Sequence, residues 1–188
     1  MDVTTGNIGF LSRLVKLIQP CDGPFADILH WQELAEILSS LERLNTTARA
    51  RVLLAFQLFE QAARETSPTN FFLYWVALEV VCEKDKTGAI KKLLRDAYRT
   101  NLGYIQNKLG LDKLIRLRHD LFHRGIAHGL PQDVERYMQL VFLDVTRHIL
   151  KLPCKKHTVQ YIETGFDINR LDSSIGKENI VLVNAGNP

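Results

Sequence analysis

Residues Phe71–Cys82 read FFLYWVALEVVC, with Glu79 as the single charge in the run. Wound at 3.6 residues per turn, this stretch is apolar on every side. A helix without a polar face is one that other helices surround, so the run predicts the central helix of an all-α, antiparallel helical bundle. It is too short to cross a bilayer, which takes about 20 apolar residues. An isolated buried carboxylate is strongly disfavoured. Glu79 therefore neutralises a buried cation, carries a raised pKa, or sits at the helix edge and reaches water.

Outward from this run, apolar residues recur at three- and four-residue spacing from Asn7 to Leu152, and strand-like alternation is hardly visible. The predicted helices are Ile8–Ile18, Ala26–Leu44, Thr47–Glu65, Thr69–Glu83, Ala89–Tyr98, Gly103–Leu109, Leu111–Arg124 and Gln132–Leu150. Thr66-Ser67-Pro68-Thr69 supplies a break and a cap. Gly88 and Gly110 offer further breaks, and Gly129-Leu130-Pro131 opens the last long helix. After Pro153 the pattern changes: Thr158–Ile162 and Ile180–Val183 favour strands, and Ser173, Ser174, Gly176 and Lys177 lie between them. The organisation expected is N-terminal helices over 1–66 within the same domain, a helical core over 67–152, and a hairpin or flexible tail over 153–188. No internal repeat is visible.

The chain has 188 residues, 46% of them apolar and 24% charged, the composition of one globular domain. A net charge of +3 gives no general argument for nucleic-acid binding, so any such contact must come from a local patch. Cys21, Cys82 and Cys154 are odd in number and show no CxxC pairing, against a disulfide framework or structural zinc. With no signal peptide or membrane span in view, a cytoplasmic location without membrane contact is expected.

Chemistry concentrates in Leu114–His128, LIRLRHDLFHRGIAH. Leu111, Leu114, Leu117, Leu121 and Phe122 form a stripe expected to be buried, and Arg118 falls inside it. A guanidinium keeps its proton, so its burial demands an acceptor, and Glu79 is the obvious one. Breaking a fully buried pair of this kind costs about 3 to 5 kcal/mol. His119 and His123 stand one turn apart on a flank, with Asp120 beside them. Arg118 and His123 suit acid/base chemistry on a phosphodiester, since histidine moves protons near neutral pH and arginine stabilises charge on phosphate oxygens. The plain alternative is a solvated basic helix end. Five residues turn the two side chains about 140° apart, so two copies facing each other would hold one phosphate better than one helix. His119, His123, Asp120 and His128 also have spacing that a divalent metal could use, but no HExxH signature completes a site. No metal or cofactor is expected, and His30, His148 and His157 read as structural or exposed.

Lys84, Lys86, Lys91, Lys92, Arg95 and Arg99 form a basic stretch with Tyr98 and Tyr104 near in sequence. Together with Arg124, the residues Lys91, Lys92 and Arg95 are candidate contacts to an RNA backbone, a tyrosine serving to stack a base. The commoner reading is a solvated face, partly neutralised by Glu83, Asp85 and Asp96.

Arg118-His119-Asp120-Leu121-Phe122-His123, followed by Arg124-Gly125, resembles the R-x4-6-H motif of the HEPN superfamily, most closely its ApeA-like branch. Trp75, Ala77, Leu78 and Glu79 resemble the aromatic residue and Ala-Leu-Glu of that branch's central helix. The likeness covers roughly Thr69 to Leu150. It implies an all-α bundle that dimerises with the motif helices facing each other and, in many members, a metal-independent endoribonuclease leaving 2′,3′-cyclic phosphate ends. By that resemblance Arg118 would bind the scissile phosphate and His123 would act on the ribose 2′-hydroxyl or the leaving oxygen, with His119 helping and Glu79 and Asp120 supporting. A toxin or phage-defence role, with an antitoxin or regulatory protein as partner, is implied in the same way. The residue after the arginine is commonly polar, often asparagine, and here it is His119. Relatives paired with a nucleotidyltransferase carry a tyrosine two positions beyond the motif histidine, where this chain has Gly125. Other relatives are non-catalytic dimerisation or ligand-sensing modules, in which Arg118 would simply pair with Glu79.

Overall fold

The computed structural model describes residues 35–66, 69–83, 87–124 and 132–173. Within them every regular element is helical. The helices are α1 (residues 35–42), α2 (Thr46–Ala62), α3 (Thr69–Val81), α4 (Thr87–Tyr98), a π-helix (Tyr104–Lys108), α5 (Leu111–Arg124), α6 (Gln132–Ile149), α7 (His157–Glu163) and α8 (Arg170–Ser173). The chain is an all-α bundle, and no described helix is long and apolar enough to cross a membrane. The sequence-predicted helix Ile8–Ile18, the strand Ile180–Val183 and the turns at Ser67-Pro68 and Gly129–Pro131 lie outside the described residues.

Local chemistry sets the helix starts. Asn45 caps α2, its side-chain oxygen accepting from the Ala48 amide at 2.9 Å. Asn101 accepts from the Tyr104 amide at 2.8 Å, and the Leu109 amide reaches back to the Tyr104 carbonyl at 3.1 Å, a π-type closure. Gly88, expected as a break, falls in the first turn of α4, where helix N–H groups need no partner within the helix.

The apolar run of α3 behaves as its composition demands, since none of its residues is exposed. It packs on α2 and on α6. Their meeting point is aromatic: Phe59 stacks on Phe142 with centroids 4.5 Å apart and meets Tyr74 edge-on at 5.0 Å, while Phe56 lies 5.6 Å from Phe142. The second central helix is α6, which also packs on α4 and α7 and buries every residue from Leu140 to Arg147.

Two charges inside α6 organise the chain around it. Arg147, with 1% of its side chain exposed, donates from Nε to the Pro153 carbonyl at 2.9 Å and from Nη2 to Glu36 Oε2 at 3.0 Å, tying α1 and the turn after α6 together. Asp144 is fully buried. Its Oδ1 accepts from the His157 amide at 3.0 Å, and its Oδ2 from the Thr158 amide at 2.9 Å, the Thr158 hydroxyl at 2.8 Å and the Tyr98 hydroxyl.

This corrects the expected strand at Thr158–Ile162, which is helical within α7. The β-branched residues there favour a strand locally, but Asp144 satisfies the orphan N–H groups of a helix start, a tertiary contact that overrides weak propensity. The segment also packs on the core. Phe166 stacks between Tyr137 and Tyr161, at 5.1 Å from each, and α8 lies against α5. Gly110, at φ +64°, opens α5 in the left-handed region beneath Ile168 and Leu171. The Tyr137 hydroxyl donates to the carbonyl of Leu109, just before it.

Candidate functional site

Successive residues of α5 step 100° around its axis, and that sorts the motif onto separate flanks. Leu111, Leu114, Leu117 and Leu121 are buried and anchor the helix. Phe122, expected in the same stripe, is 44% exposed. It lies 100° from Leu121, on the side of Arg118, where it meets Phe72 of α3 edge-on with centroids 4.2 Å apart. Asp112, Arg116 and His119 share the outward flank, and Arg116 and His119 are exposed.

Arg118 occupies the flank facing α3, with 29% of its side chain exposed, at the margin of the buried stripe. Its guanidinium carbon stands 4.6 Å from the centroid of the Phe122 ring and 5.9 Å from that of Trp75. Nη2 is 3.6 Å from Oε1 of Glu79, whose side chain is 19% exposed. The pairing expected between Arg118 and Glu79 is present, and it is Coulombic, since 3.6 Å exceeds a direct hydrogen bond. The same Glu79 oxygen accepts from the Trp75 indole N–H at 2.6 Å, one turn earlier on α3. Glu79 is thus fixed by Trp75 and in turn orients Arg118. The buried Nε of Arg118 has no acceptor among the described residues. A planar cation held by ring faces and a carboxylate, with 29% of its side chain exposed, can receive the oxygens of a phosphate or carboxylate on its exposed edge.

The other candidates disperse around this cation. His119 sits on the outward flank and Asp120 beside it is half-buried, so neither shares the α3-facing side with Arg118. The backbones of His123 and Arg124 close α5, and their side chains, like His128, lie outside the described residues. On α4, Lys91 forms an ion pair with Asp112 of α5. Arg95 donates to Asp96 Oδ1 from Nε at 2.9 Å and from Nη2 at 2.7 Å, and Lys92 is exposed. Tyr98 does not offer a face for base stacking: it is 5% exposed, bonded to Asp144, and burial with that carboxylate pushes its hydroxyl pKa well up. Tyr104 is half-buried.

Sequence reasoning missed Trp75 as a hydrogen-bond donor, Phe122 as an exposed cover for Arg118, and the buried Asp144 and Arg147. The last two had a visible signal, because charges three residues apart inside VFLDVTRHIL interrupt an apolar run much as Glu79 does. The chain matches no family model, no curated protein and no solved structure.

Proposed function

We propose that this chain is a HEPN-like, metal-independent endoribonuclease that works as a homodimer, with Arg118 and His123 of each copy at its centre. The observation that supports it most is the state of Arg118, which Glu79, Trp75 and Phe122 orient while 29% of its side chain stays exposed. In this reading Arg118 binds the scissile phosphate and stabilises charge in the transition state, and His123 carries the proton. His119 on the outward flank assists from the facing copy. A toxin or phage-defence setting, with an antitoxin or regulatory protein as partner, belongs to the same proposal.

The test is cleavage of mixed structured and single-stranded RNAs in EDTA by wild type, Arg118→Ala and His123→Ala, with the product ends characterised and the oligomeric state followed by sedimentation. The expected result is cleavage by wild type alone, 2′,3′-cyclic phosphate ends, and dimers throughout. Equal cleavage by the variants would sink the proposal.

One observation favours a second reading, a non-catalytic dimerisation or ligand-sensing module. Arg118 already has a carboxylate counter-charge and two aromatic neighbours, a set that also suits a purely structural cation.

A further inference from the structure

The positive charge of the chain is gathered in one consecutive stretch. Residues 87–124 contain nine Lys and Arg against three Asp, a net +6 where the whole chain carries +3. This stretch is α4, the π-helix and α5, and the π-helix packs on both of its neighbours. On α4 the buried residues Ile90, Leu94, Ala97 and Tyr98 occupy one side, which leaves Lys92 and Arg95 on the other at three-residue spacing, and the exposed Arg99 follows directly after the helix at φ +51°. On α5 the outward flank carries Asp112, Arg116 and His119. Lys91 joins the two flanks through its ion pair with Asp112, so the cationic sides of α4 and α5 meet at one point.

We propose that the outward sides of α4 and α5 form a track for the phosphate backbone of single-stranded RNA, with Lys92, Arg95, Arg99 and Arg116 as its contacts. The proposal rests on the ribonuclease reading for its biological sense and not for its physics. One helical turn rises about 5.4 Å, close to the separation of successive phosphates along an extended single strand. Lys92, Arg99 and Arg116 are exposed, and the Arg95–Asp96 pair is a surface contact that a phosphate can displace at small cost. Lys91 is excluded from the track because Asp112 holds it. A membrane surface fits less well, since the exposed large apolar side chains of this stretch, Leu102 and Phe122, lie outside α4 and on the α3-facing flank of α5, respectively, apart from the cationic row.

The experiment measures binding of a fluorescein-labelled single-stranded RNA by anisotropy, over a salt series, using the full chain carrying His123→Ala. In that background the triple variant Lys92→Glu, Arg95→Glu, Arg99→Glu is compared with Arg43→Glu, Arg49→Glu, Arg64→Glu, which changes the net charge equally from residues within α2 and just after α1 and α2. The track variant should lose at least tenfold in affinity, and its slope of log affinity on log salt should flatten by about 2, roughly 0.7 for each lost contact. The α1–α2 variant should stay within about threefold of its parent. Equal loss in both variants, no loss in either, no RNA binding by the parent at low salt, or loss only of binding to phosphatidylserine vesicles would each overturn the track. Cleavage by the otherwise wild-type chain is scored separately. Binding that depends on the track without any cleavage would leave the track standing and the ribonuclease reading failed, and cleavage with track-independent binding would do the reverse.

Discussion

The carboxylate of Asp144 begins a helix to which it does not belong: Oδ2 accepts from the amide of Thr158 at 2.9 Å and from its hydroxyl at 2.8 Å. Asp144→Ala would leave the Tyr98 hydroxyl and the amides at the start of α7 without their acceptor, at about 1–3 kcal/mol for each buried donor. The expected loss is about 3–5 kcal/mol in urea denaturation, and amide exchange in α7 should accelerate more than in α2. Asp144→Asn, which keeps one acceptor oxygen, should lose about half as much. Equal stability of wild type and Asp144→Ala would show that the cap carries no energy.

Gly110 has a positive φ, and a Cβ placed there would run into the Cγ2 of Ile168. Gly110→Ala should therefore cost about 2–3 kcal/mol, combining the left-handed backbone with overpacking. Adding Ile168→Ala should return part of that loss, because it removes the atom in the way. A double variant no better than the sum of the two single changes would show that backbone strain alone is responsible.

For Arg118, the fully buried ion pair expected from sequence would cost about 3 to 5 kcal/mol to break. With both side chains partly exposed and 3.6 Å between the charges, the expected cost of Arg118→Met falls to about 1–2 kcal/mol, most of it cation–π contact with Phe122 and Trp75. A double-mutant cycle with Glu79→Gln should give a coupling below about 1 kcal/mol. If the ribonuclease proposal holds, Arg118→Met abolishes cleavage at this modest cost in stability. A loss above about 4 kcal/mol would return Arg118 to a structural role.

Burial, helped by Glu79, pushes the Cys82 thiol up to about 12, so at pH 8 it stays a thiol and does not present the reactive thiolate. Cys82 should resist iodoacetamide at pH 8 until the chain unfolds. Burial likewise raises the hydroxyl pKa values of Tyr74, Tyr98 and Tyr137. Each of these groups binds its proton more tightly folded than unfolded. Their contribution is therefore complete below the ordinary cysteine and tyrosine range and is lost as pH rises through and above it. Thermal melts should fall in midpoint from pH 8 to pH 10.5, and tyrosinate absorbance should appear with unfolding. A midpoint that rises over that interval would contradict the sign.

The sequence made the helical architecture legible because the signal was repeated and local. FFLYWVALEVVC has no polar face, and the leucines of α5 recur at helical spacing, so burial follows from composition without knowledge of the partner. The Glu79–Arg118 pair was legible for the same reason, as two charges that apolar surroundings press together. What escaped depends on contacts distant in sequence. Residues 158–162 favour a strand until Asp144 reaches their amides, and Tyr98 resembles a stacking platform until α6 covers it. Phe122 escaped differently, through a stripe drawn one residue too wide.

Chain synthesis adds a temporal side to the contacts around Gly110. The first turn of α5 rests on Tyr137, which holds the carbonyl of Leu109, and on Ile168 and Leu171, which cover the glycine. All three residues are translated after α5 is complete. The helix that carries Arg118 thus receives its native footing only when the later part of the chain arrives, so its geometry is completed after translation of the motif and not during it.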